Sequence, residues 1–339
     1  MRKDTGKVTI KSIAEELGVS FSTVAKALNG DPNVSQQTRE LVEKKAKEMN
    51  YTRNYFAQSL RQKGSKTVAI ILNDIDIPAY GEMIAMISSE LSAHGYTTMV
   101  SDPRHSDEAE RSCIKTVLSR MPEAVIFSPA DPRGRNLQLL QPMFSNTLVL
   151  GELDGNVPTN SLSVGHRRAG FISADHMLQC GHSQNMICCG PREYQSSQLF
   201  FQGISDAYRH HGIALNEDLV YWFKPGDRET AQLFARVWEE THGGIDGVIC
   251  FCDSMAFGVY RAARKLGLRI PEDISVIGYD DTPVNDLMAP PLTTVHLPKD
   301  MVAQYCAQFV LSRLASKDSQ LHTYQLEPRL ADRGSVSKK

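Results

Sequence analysis

Apolar and polar positions change their spacing partway along this 339-residue chain. In the first fifty residues the apolar positions recur at helical intervals in short bursts: Ile10, Ile13, Ala14 and Leu17, then Val24, Ala27 and Leu28, then Leu41, Val42, Ala46 and Met49. Thr9, Ser20 and Ser35 each stand just before a burst and are natural N-caps. Gly18 can turn the chain after the first burst, and Asn29-Gly30-Asp31-Pro32 stops the second. The pattern predicts three helices: a short first one, a second over 21–28 and a longer third beginning after Ser35. So small a unit buries little area on its own.

Beyond residue 66 the pattern becomes one of strands. Short apolar runs at 68–72, 97–101, 124–128, 148–150 and 161–164 alternate with helical patterns, and a second set follows at 185–189, 219–223, 247–251 and 274–279. This alternation predicts an α/β core with two doubly wound parallel sheets. Further runs near 294–297 and 324–327 would take the chain between the two lobes more than once.

Composition excludes several classes. Apolar residues at 41%, charged at 22% and aromatic at 7% describe an ordinary globular protein. The longest apolar stretches fall far short of the roughly 20 residues that span a bilayer, so no membrane partner is expected. The opening MRKDTGKVTI has no apolar h-region and no small-residue cleavage site, which points to the cytoplasm. Seven cysteines spread over the chain do not form a dense even framework, and reduced, buried thiols are expected.

Charge separates the two parts. Residues 1–66 carry 13 Lys/Arg against 7 Asp/Glu, a net +6, whereas residues 67–339 carry 24 against 32, a net −8. A basic front on an acidic body suits a polyanion partner at one end only. The spacing of the first two helices reads as a helix-turn-helix: small Ala14 permits close approach, Gly18 sits in the turn, and Val24 packs the second helix on the first. The start of the second helix then faces the DNA major groove. Lys26 is suited to guanine O6/N7, Ser22 to base edges or phosphate, and Phe21 to a thymine methyl or to packing within the head. Ser20, Thr23 and Asn29 complete the expected DNA-facing set, and Arg39, Lys44, Lys45 and Lys47 are available for solvent or phosphate.

These residues resemble a known family. The run VTIKSIAEELGVSFSTVAKALNG, followed by VSQQTRELVEKKAKEMNY, is similar to the head of LacI/GalR-family transcription regulators. GYTTMV, LQCGH, FCDSMAFG, LRIPEDISVIGYDD and PPLTTV extend the resemblance in the same order through most of the chain. It implies an all-α helix-turn-helix head at 1–52, a hinge helix and linker at 53–66, and a two-lobed periplasmic-binding-protein-like core at 67–339. The N-lobe would comprise about 67–164 and 296–322, and the C-lobe about 165–292 and 323–335. The family hinge implies that residues 54–61 form a helix when two subunits sit on DNA, with Leu60 levered into the minor groove and Ala57 packing hinge on hinge. Asn54 begins that segment. Arg53 stands where the family often has proline, leaving hinge entry less rigid and Arg53 free to meet phosphate.

The resemblance also implies an effector cleft between the lobes, and this chain departs from the family there. Asp280, in GYDD, keeps an acidic ligand anchor. Phe200 replaces a frequent arginine, Cys252 an asparagine and Val164 an aspartate, which removes hydrogen-bonding capacity. Arg228 falls where an aromatic often stacks. The pocket is therefore expected to be more apolar than is typical, with Asp280, Asp253 and Arg228 as its few polar groups, and Asp253 equally able to serve as a structural helix cap. It would either accept an unusual effector or have lost tight small-molecule control.

Cys188, Cys189, Cys250 and Cys252 fall at strand ends in one lobe, where soft-metal or thiol-redox sensing is the lesser alternative to buried packing; neither spacing is the CxxC of a structural zinc site, so no metal is expected. His182, His210 and His211 have no companion motif. The chain contains no GxxxxGK[ST], no GxGxxG after a strand, no HExxH and no GxSxG, so no catalytic residue and no cofactor is expected. The reading is a repressor that binds a near-palindromic double-stranded operator as a homodimer under control of a small effector. A cytoplasmic solute-binding or sensing module with little specific DNA binding remains the alternative, and an enzyme is a distant third.

Overall fold

The structure is a computed structural model that describes residues 8–51, 64–153, 157–315 and 320–339. Arg53, Asn54, Ala57 and Leu60 lie outside the described residues. The chain divides into two compact units, residues 1–65 and 66–339.

The first unit contains α1 (Ile10–Leu17), α2 (Phe21–Leu28) and α3 (Gln36–Glu48). Thr9 and Ser12 cap α1 reciprocally, and Gly18 ends it at φ 63°, a left-handed value that costs glycine little. Ser20 accepts from the Thr23 N–H at 3.0 Å, and Ser35 from the Thr38 N–H at 3.3 Å. Ile13, Ala14, Val24, Ala27, Leu28, Val42 and Ala46 form its core. Leu41, expected inside, is 50% exposed, because Val42 and Ala46 already define the buried face of α3 and Leu41 points away from it. Arg39 is committed rather than free: its guanidinium donates to the Asp31 carbonyl at 3.1 Å and so fastens α3 to the turn after α2. Lys45 is also engaged, lying 3.6 Å from Glu16.

The second unit holds two six-stranded sheets. In chain order its elements are β1 (Thr67–Ile71), α4 (Pro78–Ala93), β2 (Thr97–Ser101), α5 (Asp107–Ser119), β3 (Ala124–Phe127), β4 (Thr147–Leu150) and β5 (Asn160–Ser163). Then come α6 (His166–Gln179), β6 (Asn185–Cys189), α7 (Gln195–His210), β7 (Val220–Trp222), α8 (Asp227–Glu240), β8 (Gly247–Cys250), α9 (Asp253–Leu266) and β9 (Ser275–Asp280). Last are β10 (Thr293–His296), α10 (Lys299–Ala315), β11 (Thr323–Gln325) and β12 (Arg329–Ala331). The first sheet runs β11-β5-β4-β3-β1-β2 with every pair parallel. The second runs β12-β10-β9-β8-β6-β7 and is parallel except where β12 meets β10.

Burial on both faces explains the continuous apolar runs of the central strands. Along β1 and β3, Val68, Ile70, Ala124 and Ile126 pack towards α4 and α10, while Ala69, Ile71, Val125 and Phe127 pack towards α5 on the other face. The second sheet is covered alike, with Ala169 and Met177 of α6, Phe200 and Ile204 of α7, Phe234 of α8 and Met255 and Val259 of α9 in one core.

The chain crosses between lobes after β5, after β10 and after β11. Two expectations are corrected here. Thr323–Gln325 pairs with β5 in the first sheet, so the last return to the C-lobe comes after Gln325 and not before residue 323. His296, expected in the N-lobe, pairs with Asp280 in the second sheet. β11 and β12 are three-residue edge strands with mostly polar or half-buried side chains, and so carry no hydrophobic signature of the sheet they join.

Candidate functional site

Two surfaces carry the expected chemistry. In the head, Val24, Ala27 and Leu28 turn the inner side of α2 to the core. The opposite side is exposed: Ser22, Lys26 and Asn29 lie at intervals of four and three along one helical stripe, with Phe21, 48% exposed, beside it. Phe21 therefore does not fill the head's core. The hydroxyls of Ser20 and Thr23 lie 2.8 Å apart and serve the N-terminus of α2, so their first role is capping.

In the second unit a cleft opens between the lobes at the carboxyl ends of the strands, where loops leave both sheets. The N-lobe contributes Asn73 and Asp74 after β1, Ser128 after β3 and Glu152 after β4, together with Tyr80 from α4. The C-lobe contributes His166, Tyr194, Phe251, Tyr279 and Asp280, and Val164 and Leu297 line it at two of the crossings. The cavity measures about 120 Å³.

Asp280 and Val164, both expected at the effector site, line this cavity. Asp280 closes β9 in an unusual backbone conformation, φ 127°, followed by Asp281 at φ 58°. Such conformations are held against their cost by surrounding contacts. Here Lys299, 4% exposed, donates to the carbonyls of Asp280 and Asp281 at 3.1 and 2.9 Å and pairs with Glu82 of the N-lobe at 2.8 Å. The carboxyl of Asp280 is pushed well above the usual range, first by burial and then by the charge of Asp253, with Lys299 opposing.

The other four expected effector residues do not line the cavity. Phe200 is fully buried and supports it from behind, stacked on Tyr279 at 5.8 Å and edge-on to Phe251 at 5.5 Å. An aromatic core residue thus stands where the resemblance implies a frequent arginine, and it packs on two rings that line the cleft. Cys252 is buried as the N-cap of α9. Asp253 is 1% exposed and accepts from the Thr282 N–H at 2.9 Å, Asn285 Nδ2 at 2.8 Å and the hydroxyls of Thr282 and Thr294 at 3.3 and 2.7 Å. Its oxygens are spent on structure, and it is not open to a ligand. Arg228 is exposed on the first turn of α8, while the preceding Pro225 reaches the cavity.

Sequence reasoning missed most of the remaining lining. His166 opens α6 and bonds the Tyr279 hydroxyl through Nδ1 at 3.2 Å; burial pulls its pKa down to about 4, so the ring is neutral near pH 7. His105 pairs with Asp74 at 2.8 Å and stacks on Tyr194 across the mouth of the cleft. The one signal available for these residues was their position just beyond predicted strand ends.

Cys188, Cys189, Cys250 and Cys252 are buried, and His182 and His211 have partners within the fold. Cys188 and Cys250 are partners across β6 and β8, and burial holds the Cys250 and Cys252 thiols protonated. His211 pairs with Asp175 at 2.7 Å, and His182 bonds the Ser337 carbonyl at 2.7 Å. Among the described residues no group of His, Cys, Asp and Glu is placed to hold a metal ion, and no helix is long and apolar enough to cross a membrane.

Comparison with known proteins finds matches to both units of the chain. A model described as bacterial regulatory proteins, lacI family, matches residues 9–54, and one described as a periplasmic binding protein-like domain matches residues 174–336. The chain is 26% identical over 333 residues to the HTH-type transcriptional repressor PurR of Haemophilus influenzae (strain PittEE), covering 97% of this chain and 98% of that protein. It is 27% identical over 343 residues to the HTH-type transcriptional repressor CytR of Escherichia coli (strain K12), covering 99% and 98%. Among solved structures, the Lac repressor dimer bound to operator and the anti-inducer ONPF aligns with a TM-score of 0.82 at 26% identity over 98% of this chain and 100% of that one.

Proposed function

We propose that this chain, which belongs to the LacI family of bacterial regulatory proteins, is a sequence-specific transcriptional repressor controlled by a small molecule bound between its core lobes. The observation that carries the reading is the exposed stripe of α2. Ser22, Lys26 and Asn29 stand on a capped helix whose other side is locked into the core, so donors and acceptors are presented in fixed order. Phe21 adds an apolar contact suited to a thymine methyl.

The protein acts as a homodimer on a near-palindromic operator, each head reading one half-site. The dimeric, operator-bound state of the Lac repressor supports this, as do the repressor names of PurR and CytR. Arg53, Asn54, Ala57 and Leu60 serve as the hinge; that assignment rests on their resemblance to the family hinge, and the wedge role of Leu60 with it. The chain works in the cytoplasm by binding, not by catalysis.

Control follows from the cleft. The CelR–cellobiose complex shows that a regulator of this fold holds a small molecule, and the Lac repressor holds ONPF. A ligand that favours one lobe arrangement over another shifts the balance between operator-competent and released dimers, and the operator shifts ligand affinity reciprocally. The test is selection of bound fragments from genomic DNA by the purified full-length protein at two salt concentrations. An enriched palindrome that persists at the higher salt is expected. Salt-sensitive, sequence-blind capture would instead favour a sensing module without a specific operator.

A further inference from the structure

The cleft is acidic and aromatic. Three carboxylates line it, those of Asp74, Glu152 and Asp280, and among its described lining residues there is no lysine or arginine. Asp74 is matched by His105 at 2.8 Å. Asp280 is only 8% exposed, and it receives the backbone N–H of Asp253, while among the described residues no cationic side chain is bonded to its carboxyl. Lys299 is near, yet its ammonium donates to two main-chain carbonyls and to Glu82, which occupies its three protons. Glu152 forms no ion pair among the described residues, and burial pushes its carboxyl up.

Burying a carboxylate without a counter-charge is unfavourable, and a cation brought in by a ligand relieves that cost at the group it approaches. The remaining walls favour the same charge. Tyr80, Tyr194, Phe251 and Tyr279 add aromatic rings to the lining, and such rings attract a cation and suit an apolar body. His166 is held neutral and adds no positive field. On a scale where one water needs about 10–15 Å³, the 120 Å³ cavity takes a molecule of about ten non-hydrogen atoms. An anionic ligand would meet three carboxylates and no guanidinium.

We propose that the cleft is specific for a small cationic ligand, its protonated amine set against Asp280 and Glu152 and its apolar or planar body against Tyr80, Phe251 and Tyr279. The proposal rests on the reading of this cleft as the effector site.

A matched trio of one-ring compounds tests it by calorimetric titration of the full-length protein near neutral pH: 2-phenylethylamine, 2-phenylethanol and 3-phenylpropanoate. The amine is expected to bind about tenfold or more tightly than the alcohol, and the carboxylate most weakly. Asp280→Asn and, independently, Glu152→Gln should bring the amine down towards the alcohol while leaving the alcohol unchanged, with unfolding transitions recorded for each variant. Equal or tighter binding of the alcohol or the carboxylate overturns the proposal, as does binding of none of the three, or an amine preference that survives both variants. Operator selection is read separately. A palindrome without amine preference would sink only the cationic assignment, and amine preference without a palindrome would sink only the repressor reading.

Discussion

The rings of His105 and Tyr194 stack 3.5 Å apart and 17° from parallel, joining the N-lobe to the C-lobe at the mouth of the cleft. His105 is held by Asp74 at 2.8 Å, which anchors the N-lobe side of the contact. Stacking of this kind contributes about 0.5–1.5 kcal/mol beyond area burial. Tyr194→Ala should therefore shift the lobes towards an open arrangement by roughly two- to tenfold in population and speed ligand release, while Tyr194→Phe should not. Small-angle scattering of the core and ligand dissociation rates would detect the change; identical behaviour of the alanine and phenylalanine variants would deny the stack a closing role.

Asp253 is expected to matter for folding more than for binding. Asp253→Ala would strand the Thr282 N–H, the Asn285 amide and the Thr294 hydroxyl, each bonded to it now. Leaving buried donors unpaired costs about 1–3 kcal/mol apiece, so a destabilisation on the order of 3 kcal/mol is expected in a denaturant melt. A change below about 1 kcal/mol would mean water replaces the carboxylate.

The same residue gives a pH signature. Burial raises the Asp253 pKa to about 6 from the usual 3.8, with hydrogen bonds from Thr294, Thr282 and Asn285 opposing. Between those two values the folded state holds the proton that the unfolded state has lost, so this group's contribution to stability falls as pH rises from 3.8 to about 6. Asp253→Asn should remove that component from the stability–pH curve. A difference curve that is flat across the window would show that Asp253 stays ionised.

Gly203 lies where α7 crosses α6 so closely that a Cβ would meet the Arg167 carbonyl and the Phe171 amide. The space is limited by backbone, which cannot swing aside as a side chain would. Gly203→Ala should cost about 1–3 kcal/mol or more by overpacking, measurable as a lower melting temperature. An unchanged transition would indicate that the two helices slide apart freely.

In the head, Lys26→Ala should relax preference at a single operator position by about 1–3 kcal/mol if Lys26 reads guanine. Lys44→Ala, at an exposed site on α3, should instead weaken all sequences evenly and lower the salt slope if it meets phosphate. Binding profiles over a library of operator variants distinguish the two patterns. A uniform loss for Lys26→Ala would move that residue to the phosphate class.

Much of the fold was legible because local chemistry and global packing agree. Thr9, Ser20 and Ser35 each cap the helix they precede, and the apolar runs of β1, β3, β6 and β8 are buried on both faces. The failures occur where packing depends on distant residues. Leu41 is apolar but lies off the face shared by Val42 and Ala46. β11 and β12 are too short and polar to reveal which sheet they join. At the cleft, the resemblance points to Asp280 and Val164, which line it, whereas Phe200, Cys252 and Asp253 sit one layer deeper and Arg228 lies outside. Tyr80, His105, Glu152 and Tyr194 come together only through tertiary folding, from loops and helices far apart in sequence.

The repressor reading is tested most directly by the affinity of the full-length protein for its best selected duplex against a scrambled duplex of the same length and composition, measured across a range of salt. Specific recognition predicts a preference of about 10³ or more that survives as salt rises and both affinities weaken. Equal affinities that fall together with salt would contradict it, leaving the head a nonspecific polyanion binder.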